Sequence, residues 1–439
     1  MYRKLIGVCV VVALLLPMQP VAGASVMKLS LSDALERVGQ HNYTIMAARS
    51  RVDQAAGRVV QSRQAFLPKV TLSETLTITN DPGAALVYKL QQKSLQNYDF
   101  DASKMTHPDV INDFTTSLQV MQPVYNADAS SARNMALTAK KAQELMTLRT
   151  EETIRLQVSK VYYGLLLAKK NIEAVDQSII TMEGYSAEAA KGYSAGMLSK
   201  SDKLSTDIRL AELQEQKLLL QDEMKNAADM LKVMLKLDSG VTLVPTGTLV
   251  LDAPIPGDGS ASSSARADIK AYEEFRKVAA YQEEMVRESK FPRLNAFLQT
   301  SLHSSTLFGG GAGWALGMNM QWNIFDGMAT EGRIQEAKAQ EREAMYNYEA
   351  AKSNSVAEVE KSSRAFKTAK TRIAVASKSL EEARTSFDYI GKKYKTGMAM
   401  TFELLMREQA FTYSKMRVNQ AMYDYCVSKK ELEYYKGGL

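Results

Sequence analysis

The sequence predicts an α+β membrane protein in which barrel-type strands alternate with very long coiled-coil helices. Three observations point there: an export leader, two long runs of coiled-coil spacing, and dyad-patterned segments too few to close a barrel alone.

The leader comes first. Arg3 and Lys4 precede an apolar run from Leu5 to Leu16, and Ala22-Gly23-Ala24 supplies small residues for cleavage. That is a secretory signal peptide, 1–24, too short to be a spanning helix. Cys9 inside it lacks the spacing of a lipid-modified cysteine. After cleavage before Ser25 only Cys426 remains, so no intrachain disulfide can form. The chain carries 55 basic and 49 acidic residues, and 53 against 49 without Arg3 and Lys4. So small an excess argues against a nucleic-acid partner. No later stretch approaches the ~20 apolar residues of a membrane helix. A membrane could then be crossed only by strands closed into a barrel.

The helices are read from spacing. Leu165, Ala168, Ile172, Val175, Ile179 and Met182 alternate steps of three and four, a coiled-coil seam. Adding 201 to each gives Phe366, Ala369, Ile373, Ala376, Leu380 and Ala383, and the register runs on to Gly196-Met197 and Gly397-Met398. An internal duplication is the economical explanation. Long helices are expected at about 127–191 and 328–392, each on the order of 100 Å long. Rods of that length need partners along their whole extent. The first repeat covers 25–237 and the second 266–439. Pro245, Pro254, Pro256, Gly257 and the serines 260–264 mark a connector at 238–265.

Four strands are expected, at about 69–79, 113–125, 293–303 and 313–325. The clearest sets Trp314, Leu316, Met318, Met320, Trp322 and Ile324 against small or polar alternates, with tryptophan at both ends. A soluble sandwich would alternate too. Four strands cannot close a barrel, so the membrane reading requires oligomerisation, which the long helices and the leader favour. A polar insert at about 80–112, beginning Asn80-Asp81-Pro82-Gly83, reads as an irregular loop.

Two tight turns join the long helices to returning ones, at 192–202 and 393–403. Gly196 and Gly397 suit the left-handed end of a helix. Ser199 and Thr401 are placed to cap the returning helices, with Asp202 and Glu403 in the first turn.

With these motifs in order, the chain resembles the TolC family of outer-membrane efflux and secretion ducts over essentially its whole mature length. The likeness rests on Leu31-Ser32-Asp33-Ala34-Leu35, on Phe66-Leu67-Pro68, on Gln122-Pro123-Val124-Tyr125 and its degenerate copy Phe325-Asp326-Gly327, and on Arg266-Ala267-Asp268-Ile269. Most specific are the two turns, where a tyrosine (193, 394) is followed by glycine three later and an acid six after that. The resemblance implies a homotrimer whose chains each give four strands to a 12-stranded barrel in outer-membrane lipid. It also implies a helical tunnel into the periplasm of a Gram-negative cell. Pro68, Pro123 and Pro292 would mark helix–strand transitions. Gly196, Met197, Ser199, Gly397, Met398 and Thr401 would dock a periplasmic adaptor that couples to an inner-membrane RND or ABC transporter. Asp202, Tyr394 and Glu403 would belong to a periplasmic gate. The family's gate arginine falls on Ala399 and a second acid on Met406, so the gate expected here departs in composition from the family's.

No catalytic site, cofactor or metal is expected. His41, His107 and His303 are scattered without ligand spacing, and no phosphate loop or nucleophile–base pattern is present. The 23 methionines raise Cu(I) as a cargo, but Met224, Met230 and Met234 sit where filling a helical seam suffices. The function expected is a passive exit duct for small molecules in a tripartite pump. The exit duct of a type I protein secretion system is the alternative, and a periplasmic coiled-coil scaffold without a pore is a more distant one.

Overall fold

A computed structural model describes residues 26–249 and 266–438. The signal peptide and the proline- and serine-rich part of the connector lie outside those residues. In chain order the elements are β1 (Val26–Leu29), α1 (Leu31–His41), α2 (Tyr43–Gln61), β2 (Lys69–Thr79), α3 (Pro82–Gln91), α4 (Ala102–Thr106), β3 (Ile111–Tyr125), α5 (Ala129–Ser194), α6 (Lys200–Leu235), β4 (Thr242–Pro245), α7 (Ala267–Glu288), β5 (Arg293–Ser304), β6 (Gly311–Gln321), α8 (Ala329–Lys395) and α9 (Thr401–Tyr435). Among the described residues no helix is long and apolar enough to cross a membrane. The chain divides into two compact units, one from the described parts of Met1–Val38, Val158–Val250 and Val375–Tyr423, the other from Gly39–Gln157, Leu251–Ala374 and Asp424–Leu439.

The second unit holds an antiparallel sheet of order β2-β3-β5-β6. Its register sorts side chains into two sets, because successive residues of a strand face opposite ways. Leu72, Leu118, Thr300 and Trp314 share one row, and Val70, Val120, Leu298 and Leu316 the next on the same face. The other face carries rows such as Thr71, Gln119, Gln299 and Ala315, then Ser73, Ser117, Ser301 and Gly313. One face is apolar and exposed, with Trp314 at 79% and Leu316 at 70%; the other is small and polar. Glu74, opposite Thr116, is a charged residue on the apolar face, and Met121 beside Phe297 is a large apolar pair on the other. Strand β6 ends at Gln321, so Trp322, Ile324 and Phe325 lie beyond it and the strand does not extend to 325. Trp322 instead donates its indole N–H to the Lys290 carbonyl at 3.0 Å.

Pro68 and Pro292 each sit directly before a strand. Pro123 differs: it lies inside β3, at a register break between Pro123 and Tyr125. A bulge is where a strand tolerates a residue without an N–H. The insert also departs from expectation. Asp81 caps α3 by accepting from the Ala84 amide at 2.8 Å, with Pro82 in the first turn. The Asp-Pro string that reads as a turn therefore starts a helix.

In the first unit β1 pairs in parallel with β4, so the connector begins with a strand where no periodicity announces one. The Tyr162 hydroxyl fastens the pair from α5. It donates to the Leu29 carbonyl at 3.1 Å and accepts from the Gly247 amide at 3.2 Å. The seam residues Val175, Ile179 and Met182 of α5 are buried against Leu213 and Leu220 of α6, with Leu405 and Met416 of α9 packed on them. Each such side chain contributes about 1.5–3 kcal/mol.

Candidate functional site

The two hairpin tips are built alike at the helix end. Gly196 has φ +70° and Gly397 φ +71°, a conformation costly for any residue with a Cβ. The amide after each glycine bonds back five residues, Met197 to the Gly192 carbonyl and Met398 to that of Lys393, both at 2.8 Å. The glycine amides bond back three, to Tyr193 and Tyr394, at 3.0 Å. Together these are paired Schellman closures. Met197, Met398 and Met400 are left outermost, at 69–77% exposure. A cleft of about 700 Å³ lies between the tips, lined in part by Gly192, Met197, Leu198, Tyr394 and Gly397.

The returning helices start differently. Ser199 caps α6, its hydroxyl accepting from the Asp202 amide at 3.1 Å. The Asp202 carboxylate reciprocates, accepting from the Ser199 amide at 3.3 Å and its hydroxyl at 2.5 Å. The Ser199 hydroxyl holds the Asp202 carboxyl below the usual carboxylate range; partial burial opposes this, and the nearby Thr401 hydroxyl adds to it. Thr401 makes no hydrogen bond of normal geometry. It is the first residue of α9, not its cap, and it is buried. This corrects the capping role expected of it. Glu403 points to solvent.

Tyr394 and Asp202 are not joined within the chain. Tyr394 is buried with Phe387 and Leu404, its ring edge-on to Tyr185 at 5.8 Å, and its hydroxyl has no partner. Ala399 packs against that cluster, while Met406 is half exposed.

Sequence reasoning missed a buried polar chain above the tips. Glu408, 1% exposed, accepts from Arg209 Nε at 2.7 Å and from the Thr412 hydroxyl at 2.6 Å. The Thr412 and Ser178 hydroxyls lie 2.6 Å apart. One charged network thus ties α6, α9 and α5. The signal was available: Glu408 sits in step with the buried Leu404 and Thr412, at spacings of four. Among the described residues no group of three His, Cys, Asp or Glu could hold a metal ion.

The family profile described as outer membrane efflux protein matches residues 34–235 and 260–438. The chain belongs to the outer membrane efflux protein family. As a member it is an outer-membrane export duct component with a periplasmic extension, not an enzyme. The alkaline protease secretion protein AprF of Pseudomonas aeruginosa is 22% identical over 340 residues, 74% of this chain and 70% of AprF. The Campylobacter jejuni CmeC outer membrane channel superposes with TM-score 0.81 at 17% identity, over 93% of this chain and 85% of CmeC. The Vibrio cholerae outer membrane protein VceC gives TM-score 0.76 at 17% identity, covering 93% and 96%. These likenesses place this chain's fold among outer-membrane efflux channels of mixed helix and strand content.

Proposed function

We propose that three copies of this efflux-family chain assemble into a passive exit duct for small molecules. The observation that carries it is the sheet's pair of bare edges. Strands β2 and β6 each have one unpaired side, and the apolar face they share exposes Leu72, Trp314, Leu316 and Met318. Open edges are not tolerated in lipid. Joining β6 of one copy to β2 of the next removes every edge, and three four-stranded sheets make a barrel of twelve. The duplicated helical hairpins would then line a common tunnel, packed through the seams that the long helices carry.

At the tips, the exposed Met197 and Met398 beside Gly196 and Gly397, with Ser199, form the surface offered to a periplasmic adaptor, and the buried Thr401 lies beneath it. An inner-membrane transporter of RND or ABC type would work through that adaptor. Asp202 and Glu403 would belong to a gate whose closing contacts cross between neighbouring copies, and the buried Tyr394 hydroxyl would join it as the tip rearranges. Tyr394→Phe with Asp202→Asn is expected to raise single-channel conductance in planar bilayers; unchanged conductance would remove these residues from the gate.

A second reading is specifically favoured by the likeness to a protease secretion protein: the exit duct of a type I secretion system. Deletion of the gene separates the two. Efflux predicts greater susceptibility to drugs or metals with an intact set of secreted proteins. Lost secretion with unchanged susceptibility would transfer the assignment to the second reading.

A further inference from the structure

The two connections across the top of the sheet are unequal. Ser305 to Gly310 joins β5 to β6 in six residues, whereas Asn80 to Val110 joins β2 to β3 with two helices and a 3₁₀ turn. The longer one is folded on itself: the Lys89 ammonium reaches the Asp99 carboxylate at 2.6 Å and lies over the Tyr98 ring at 5.7 Å. It also rests on the sheet, and always on the same face.

Three strands make that contact. On β3, Asp113 is wholly buried; its carboxylate accepts from the Gln92 amide nitrogen at 2.8 Å and from the Thr115 hydroxyl at 2.6 Å. On β5, His303 Nδ1 lies 2.8 Å from Asp113 Oδ2, and its ring is 6.3 Å from that of Tyr88 on α3. On β6, a Cβ at Gly311 would stand 2.1 Å from the Gln91 carbonyl oxygen, so only glycine admits the helix end there. The register puts Thr115, His303 and Gly311 in one row, two residues from the row of Ser117, Ser301 and Gly313. Asp113, two residues on from Thr115 in β3, faces the same way. All the contacts fall on the small, polar face. They lie at the ends of the strands remote from α5 and α8, which leave from Tyr125 and Gln321.

We propose that residues 81–107 are a lid folded over the lumen side of the duct's extracellular mouth, latched by Gln92, Asp113 and His303. The proposal rests on the duct reading, which makes the polar face the lumen and the loop ends extracellular. A buried carboxylate satisfied by its own strand, by β5 and by the insert is costly to leave half-paired. That makes the latch close firmly or release as a unit, and it narrows the exit independently of the periplasmic tips. A lid of this kind would exclude large external molecules while the duct is idle.

Cysteine accessibility on intact cells tests it. Ser301→Cys, on the lumen face beneath the lid, is placed in a Cys426→Ser background. A small maleimide and a bulky polymer-linked maleimide are added from outside. The expected result is labelling by the small reagent alone in the otherwise unaltered chain. Labelling by both is expected after Gln92→Ala, after Asp113→Asn, and after replacement of residues 82–107 by a short glycine-serine turn. The deletion guards against a point variant that fails to assemble. Equal labelling by the bulky reagent with and without the latch would overturn the lid and leave the duct standing. If even the small reagent never reaches Ser301→Cys, including in the deletion, the face is not a lumen and both readings fall.

Discussion

The two hairpin tips share one closure and differ in how the returning helix begins. The first is chemically complete: Ser199 and Asp202 cap each other, and the returning helix leaves few donors unmet. The second ends with two buried hydroxyls, Tyr394 and Thr401, that the chain itself does not satisfy. Buried polar groups are seldom left so. The difference teaches that the first tip is fixed by side-chain hydrogen bonds, while the second is fixed by the apolar packing of Phe387, Tyr394 and Leu404.

The sharpest way to break the comparison lies above both tips. Arg209→Ala leaves the Glu408 carboxylate buried without its cation and is expected to cost about 3–5 kcal/mol. The measurement is the thermal dissociation of the detergent-solubilised assembly. Arg209→Ala with Glu408→Leu should recover most of the loss, because the apolar replacement removes the orphaned charge.

Next come the glycines. Gly196→Ala and Gly397→Ala each force a Cβ into the left-handed region, at about 1–2 kcal/mol. Neither glycine has a neighbour within reach of a new Cβ, so the two costs should match, as judged by hydrogen exchange at the turn amides. A much larger effect at 397 alone would show that the second tip is engaged by a partner in the assembly.

Smaller still is the contrast between caps. Ser199→Ala should cost about 1 kcal/mol at the first tip. Thr401→Val should cost nothing measurable or stabilise slightly, since it replaces an unpartnered hydroxyl with a methyl. Equal losses in local exchange protection would erase the distinction.

The smallest effect is pH dependence. The folded chain holds Asp202 below the ordinary carboxylate value of 3.8. The unfolded segment therefore takes up its proton first. Stability from Asp202 is present above that value and drains away as pH falls through the lower folded one. Amide exchange at the first tip should accelerate in acid more than at the second, and Asp202→Asn should abolish the difference.

Some of this was legible in residues alone. The steps of three and four from Leu165 to Met182 specify a helical seam wherever the partner lies, and Val175, Ile179 and Met182 are indeed in the core. The alternation from Trp314 to Met320 specifies an apolar face in the same way, because side-chain direction along a strand is a local property. The glycines announced the turns for the same reason: φ is decided by the residue's own Cβ. Local chemistry misled where one string serves two purposes. Asp81-Pro82 suits a turn or a helix start, and only the packing of α3 on Gly311 and His303 chooses the latter.

What the sequence by itself determined is the period of the long helices and of the clearest strand, and the two tip glycines, all matters of single residues and their near neighbours. The tertiary structure decided the rest. It set β1 beside β4 across more than two hundred residues and gave Glu408 its arginine. It spent Asp202 on Ser199, and it buried the Tyr394 and Thr401 hydroxyls without a hydrogen bond. Those outcomes depend on which segments meet in space and on whether a buried polar group then finds a match. No local pattern of residues encodes that.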